Sequence, residues 1–251
     1  MPALVLGGGA AWGLSHIGVI EVLREEGIPI DLVAGTSVGA IIGSLLAREL
    51  TTEEIIEVVA EVQWTDLGTL TVPRLGFADS SSIETFLEEL IGTGCEFSDL
   101  EIPLKIVATD LRQGGQVVLD EGLVARAARA SACIPVIFTP VESDNTLLVD
   151  GGVVNNLPVD VARAAGASRI IAVELAQSFP KETPDNLAEL GYMAFAVMQK
   201  RNTEANSEDA DVLLRPDLDG FSSMDLSAHE ELIERGRREA ISHLEEIREL
   251  V

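Results

Sequence analysis

Lysine is almost missing from this chain. Only Lys105, Lys181 and Lys200 occur among 251 residues, and Lys+Arg number 17 against 42 Asp+Glu, a net charge of −25. A surface of that sign repels nucleic acid and anionic lipid headgroups, which disfavours functions built on phosphate contact. The bias fits a high-salt cytoplasm, where counter-ions screen the self-repulsion, and fits an acidic mesophilic or thermophilic protein equally well. Cysteine is as sparse. Cys95 and Cys133 are too few for a disulfide framework or a four-cysteine metal site, and their spacing matches no redox pair, so a reducing, cytoplasmic setting is expected. No stretch reaches the roughly 18 apolar residues of a membrane span. The opening MPALVLGGGA carries neither the basic nor the long apolar segment of a cleaved signal. These absences together predict a soluble protein whose only membrane contact is transient and at the surface.

What is present is hydrophobic mass: 47% of the residues, enough for one large core. Short apolar runs alternate with helical patterns. ALVLG (3–7) and DLVAG (31–35) read as buried strands. LSHIGVIEVLREEG (14–27) places Leu14, Ile17, Ile20 and Leu23 on one helical face and stops at Gly27. SVGAIIGSLLAREL (37–50) is apolar nearly all round, the mark of a buried helix. TTEEIIEVVAEV (51–62) opens on a Thr-x-x-Glu capping box. From 64 to 82 the periodicity breaks, predicting a functional or flexible loop. Beyond it the reading gives helices at 82–92, 122–132 and 158–166 and strands at 104–111, 116–120, 136–141, 146–152 and 169–175. Two closing helices follow at 183–203 and 228–250. The alternation predicts an α/β fold: a central, mostly parallel sheet with helices on both faces. No repeat or linker divides the chain, so a single domain over 1–251 is expected, with a motif-bearing core at about 3–176 and closing helices over about 183–251.

Three strand ends carry unusual residues, where an open α/β sheet collects its chemistry. GGGAAWG (7–13) partly matches a dinucleotide fingerprint, but Trp12 replaces the third glycine, and the second strand ends in Gly35 instead of an acid. The same stretch can be a row of free N–H groups at a helix N-terminus, suited to an anion or an oxyanion, or a tight turn without a ligand. Gly35-Thr36-Ser37-Val38-Gly39 stands between a strand and a helix, as a nucleophile elbow does, and Ser37 could equally be a plain N-cap. In LVDGGVVNNLP (148–158), a strand ends in Asp150, either a turn former or a carboxylate in a partly desolvated site. A serine nucleophile needs a base within hydrogen-bond reach. His16, His229 and His243 are the only histidines, and none lies in a strand-end loop, so Asp150 is the remaining candidate.

LVLGGGAAWGLSHIGVIEVLREEGI, AGTSVGAIIG, IVATDLRQGG, RASACIPVIFTPV and VDGGVVNNLPV, in that order, resemble the patatin-like phospholipase family over about residues 3–176. The resemblance implies a three-layer α/β/α fold and a Ser–Asp dyad that hydrolyses acyl esters of lipids through an acyl-serine, without metal or cofactor. It casts Ser37 as nucleophile, Asp150 as general base, and Gly8, Gly9 and Ala10 as the source of oxyanion-hole N–H groups. The chain departs from the family twice: Ala10 stands where glycine is usual, and Trp12 where arginine or lysine is usual. Alanine keeps its N–H, so the hole survives if its dihedral angles stay allowed. The missing cation bears on headgroup contact or loop rigidity, and Trp12 could line an apolar entrance. The expected substrate is a phospholipid, lysophospholipid or simple fatty-acyl ester, neutral or zwitterionic in view of the net charge. Candidate groove walls are Trp64, Leu67, Leu70 and Phe77 and, from the first closing helix, Leu190, Met193, Phe195, Val197 and Met198, although core packing is the simpler account of these side chains. The alternatives are a catalytically weak regulatory or interaction protein on the same fold, an acyltransferase, and, least, a nucleotide-binding module.

Overall fold

The computed structural model describes residues 1–70, 75–143, 145–175 and 183–250, the side chains of Trp64, Thr65, Thr69, Leu70 and Ser143 aside. In chain order its strands are β1 (Pro2–Leu6), β2 (Leu32–Thr36), β3 (Thr69–Leu70), β4 (Gly76–Asp79), β5 (Leu104–Asp110), β6 (Gly115–Leu119), β7 (Val136–Phe138), β8 (Val141–Ser143), β9 (Thr146–Asp150), β10 (Arg169–Val173) and β11 (Val212–Leu214). The helices are α1 (Ser15–Glu25), α2 (Val38–Ala47), α3 (Thr52–Glu61), α4 (Trp64–Leu67), α5 (Ser81–Ile91), α6 (Val124–Ser131), α7 (Val159–Ala164), α8 (Leu187–Asn206), α9 (His229–Ser242) and α10 (Leu244–Leu250).

The main sheet runs β11-β10-β1-β2-β5-β9-β8, with β6 also paired to β5. From β11 to β5 every pairing is parallel, while β6, β9 and β8 add antiparallel pairings at one flank. Both faces are buried, because alternate residues of a strand point to opposite sides. Leu4 and Leu6 of β1 join the large core with α1, α2 and α5, whereas Ala3 and Val5 join a smaller core with Val159 and Ala162 of α7. The Thr51–Glu54 capping box forms as its spacing predicts: the Thr51 hydroxyl accepts the Glu54 N–H, and the Glu54 carboxylate accepts the Thr51 N–H.

The register of β5 positions the site. β2 runs parallel to Leu104–Val107, and β9 runs antiparallel to Ala108–Asp110. β6 pairs with Ile106–Asp110 and overlaps both, so it must occupy the opposite edge. β2 and β9 therefore share one edge of β5 and meet head to head. Thr36 sits beside Val107 and Asp150 beside Ala108, which brings together two strand ends that lie far apart in sequence.

Three local differences from the sequence reading have physical causes. The single strand expected at 136–141 is broken before Pro140, which has no N–H for a ladder, and β7 and β8 enter different sheets. The 64–82 stretch, read as irregular, contains α4, β3 and β4, the two strands forming with β7 a small separate sheet. β11 escapes a periodicity search because it is three residues long, and its place is set by its neighbour β10.

Candidate active site

Between β2 and α2 the chain turns so sharply that Ser37 takes φ 55° and ψ −124°, a conformation costly for any residue with a Cβ. The turn needs a close approach of α2 to the sheet, and Gly39 permits it: a Cβ there would overlap the Leu6 carbonyl. Ser131, at the end of α6, holds the strained residue. Its hydroxyl donates to the Val107 carbonyl oxygen at 2.6 Å and accepts the Ser37 N–H at 2.8 Å. Ser131→Ala leaves that buried N–H unpaired. We expect a loss of roughly 1–3 kcal/mol in urea unfolding. A variant as stable as the wild type would show that Ser131 does not hold the turn.

The Ser37 Oγ donates to Asp150 Oδ2 at 2.6 Å across 113 positions of sequence. The other oxygen, Oδ1, accepts the Gly152 N–H at 2.8 Å, and the Asp150 carbonyl accepts the Thr109 hydroxyl at 2.9 Å. Asp150 is fully buried, and burial pushes its pKa from 3.8 up to about 7, against the opposing pull of the Ser37 and Gly152 hydrogen bonds. A carboxylate so raised is a better base than an exposed one and is still ionised in weakly alkaline solution.

Beside this pair lies the glycine-rich turn. The Gly8 N–H donates to the Asn156 carbonyl oxygen at 3.1 Å and is therefore not free to hold an oxyanion, contrary to the sequence expectation. Its glycine is required for proximity: a Cβ would sit 2.5 Å from Asn156 Oδ1 and 3.1 Å from the Ser37 Cβ. The N–H groups of Gly9 and Ala10 have no acceptor among the described residues. Ala10 adopts φ 50°, the left-handed region that glycine enters freely and alanine enters at a cost.

His16 is fully buried, and its Nε2 lies 2.8 Å from the Gly7 carbonyl oxygen. Burial lowers its pKa to about 4, so the ring is neutral at pH near 7, and Nε2–H donates to that carbonyl. It props the turn; no histidine hydrogen-bonds to Ser37 or Asp150 among the described residues. Trp12 is also anchored, its indole N–H donating to the Phe221 carbonyl oxygen at 3.1 Å. The indole gives the loop a tether, and Trp12 is not among the residues around the cavity described next.

A cavity of about 90 Å³ opens at Ser37 and runs between α2, α3 and α5. Ile41, Leu45, Val59, Ile83, Phe86 and Phe138 are among the side chains around it, and Ser37 is the one hydroxyl among the described residues. Of the expected groove walls, Leu67 lines it, while the side chains of Trp64 and Leu70 lie outside those described. Phe77 and the α8 residues are not part of its wall: Phe195 is packed in the core, and Leu190, Val197 and Met198 face outward. Residues 132–138 supply wall positions that periodicity could not separate from core.

Fold and site together define an α/β protein with a serine–carboxylate pair at the carboxyl edge of its sheet. A family model for patatin-like phospholipases matches residues 4–163. The chain is 37% identical over 183 residues to patatin-like phospholipase domain-containing protein 6 of Homo sapiens, a match covering 69% of this chain and 13% of that protein. It is 29% identical over 273 residues to lysophospholipase NTE1 of Saccharomyces cerevisiae, covering 93% of this chain and 16% of that one. The chain thus spans less than a fifth of either relative's length. Among solved structures, VipD from Legionella pneumophila aligns with a TM-score of 0.61 at 15% identity, over 99% of this chain and 66% of that one. ExoU from the type III secretion system of Pseudomonas aeruginosa aligns at 0.52 and 15%, over 98% and 52%. At such identities the likeness is one of fold. The chain belongs to the patatin-like phospholipase family.

Proposed function

We propose that this protein is a serine acyl hydrolase that cleaves carboxylic esters of lipids with a Ser37–Asp150 dyad. The observation that carries the reading is the 2.6 Å hydrogen bond from the Ser37 hydroxyl to a buried carboxylate with raised basicity. Asp150 takes the hydroxyl proton as Oγ attacks the ester carbonyl. The oxyanion that forms is met by the N–H groups of Gly9 and Ala10, in a site where removal of one such donor typically costs about 10²–10³ in rate. The alcohol leaves with the proton held by Asp150. Water, deprotonated by the same carboxylate, then releases the fatty acid from the acyl-serine. The acyl chain lies in the cavity between α2, α3 and α5.

The match to a lysophospholipase and to phospholipase-domain proteins supports a lipid ester as substrate. The net charge of −25 favours neutral or zwitterionic headgroups. Among the described residues no helix is long and apolar enough to cross a membrane. The test is fatty-acid release from lysophosphatidylcholine, lysophosphatidylglycerol and a series of p-nitrophenyl esters. The zwitterionic lysolipid is expected to be cleaved faster than the anionic one. That gap should narrow with salt, as the screening length falls from about 10 Å at 0.1 M to about 3 Å at 1 M. No release from any ester by folded protein would overturn the reading.

A further inference from the structure

α8 lies beyond the segment matched by the family model, and although Phe195 packs in the core, the helix also buries polar side chains while leaving large apolar ones exposed. Leu187 and Leu190 are more than half exposed, and Val197 and Met198 also face outward, whereas Gln199 and Thr203 are buried. Gln199, Asn202, Thr203 and Asn206 follow at helical spacing, so they share one face.

Every one of those four hydrogen-bonds to the loop that follows Asp150. Gln199 Nε2 donates to Asn156 Oδ1 at 2.8 Å. Asn202 Oδ1 accepts the Asn156 N–H at 2.7 Å, and its Nδ2 donates to the Gly152 carbonyl at 2.8 Å. The Thr203 hydroxyl accepts from Asn156 Nδ2 at 3.2 Å, and Asn206 Nδ2 donates to Asn155 Oδ1 at 2.8 Å. Asn156 carries the contact onward. Its carbonyl accepts the Gly8 N–H, and its Nδ2 donates to the Gly8 carbonyl, both at 3.1 Å. One asparagine thus grips the Gly8 residue by its donor and its acceptor, next to the Gly9 and Ala10 N–H groups, which have no acceptor among the described residues. Gly152, held by Asn202, gives its own N–H to Asp150. Gln199 fits tightly between the two loops: a Cβ on Gly8 would lie 3.3 Å, and one on Gly152 2.7 Å, from its Nε2.

We infer that the Gln199–Asn202 face of α8, acting through Asn156, fixes the oxyanion-binding turn in register with the Asp150 loop, and that these are positioning residues for the hydrolysis. This rests on the proposed esterase reading. A buried amide ladder is a costly way to fill a helix interface that leucine could fill, because each group must be satisfied. What the ladder provides is directional: each amide admits one geometry, and the Asp150 loop, fixed on the helix face, holds the glycine-rich turn in place through Asn156. A misplacement on the order of 1 Å at a reacting centre is worth about 10²-fold in rate.

The test is steady-state kinetics of the full chain on a soluble short-chain p-nitrophenyl ester. Gln199→Met keeps the volume and removes the donor to Asn156. Asn202→Ala breaks two bonds at a half-buried site where folding survives more easily. In each variant, once circular dichroism confirms the fold, kcat is expected to fall about 10- to 100-fold. KM is expected to stay within about twofold, because the acyl cavity is untouched, and the pH midpoint of the rate should not move, because the Ser37–Asp150 pair is intact. Variants that lose thermal stability while kcat per folded molecule is unchanged would overturn the inference, as would a loss confined to KM. A wild-type protein without esterase activity would refute the functional reading itself; an active wild type with unaffected variants would refute the positioning role alone.

Discussion

At about pH 8, Asp150→Asn is expected to unfold at a higher urea concentration than the wild-type protein and, under the proposed reaction, to hydrolyse esters about 10⁴-fold more slowly. Both effects come from one buried carboxylate. Its folded pKa of about 7 stands above the unfolded 3.8, so the folded state holds a proton that the unfolded state has released. The stability associated with that proton is fully present below 3.8 and is lost as pH rises through 7. Above 7 the ionised, buried group costs on the order of 4 kcal/mol. Asparagine fills the same space, keeps an oxygen for the Gly152 N–H, and cannot ionise. The variant's advantage should therefore be full above pH 7 and vanish below about pH 4, where both side chains are neutral. His16 contributes in the opposite sense: its pKa of about 4 lies below the unfolded 6.5, so its stabilisation is present above 6.5 and is lost as pH falls through 4. That contribution is common to both proteins and cancels in their difference. Equal stability of the two proteins at every pH would mean that Asp150 is not the desolvated group described here.

Ser37→Ala should show the deepest loss of all, about 10⁴-fold or more, because in the proposed reaction it removes the atom that bonds to substrate. Residual activity is what the Gly9 and Ala10 N–H groups and the apolar cavity supply without a nucleophile. Adding Asp150→Asn to Ser37→Ala should cost almost nothing further, since residues that act as a unit lose their effect together. A double variant much slower than either single one would mean that the two side chains contribute separately. The fold should survive, because the new alanine retains the N–H bonded to Ser131.

Much of this site can be read from the chain, for a local reason. Ser37 and Asp150 each end an apolar strand and precede glycine or a helix, which are short-range signals. Their convergence depends on the head-to-head meeting of β2 and β9 on one edge of β5, and nothing local to either strand states that β9 runs antiparallel. That the Gly8 N–H is engaged is not legible locally, because its acceptor, Asn156, stands 148 residues away. Ser131 sits in a quoted motif, but a serine at a helix end has many ordinary uses. The face that α8 buries is not legible from its periodicity, because apolar and amide side chains both recur at helical spacing. Phe195 is in the core, whereas Leu190, Val197 and Met198 are exposed and Gln199 and Thr203 are buried. The 64–82 stretch lost its pattern because strands of two to four residues are too short to display one.

The most direct measurement is the pH-dependent rate of labelling by a fluorophosphonate, with the modified residue mapped by peptide mass spectrometry. One adduct is expected, on Ser37, forming faster as pH rises through a midpoint near 7 and absent from Ser37→Ala. An adduct on another side chain, labelling that persists in Ser37→Ala, or a rate indifferent to pH across that range would contradict the dyad.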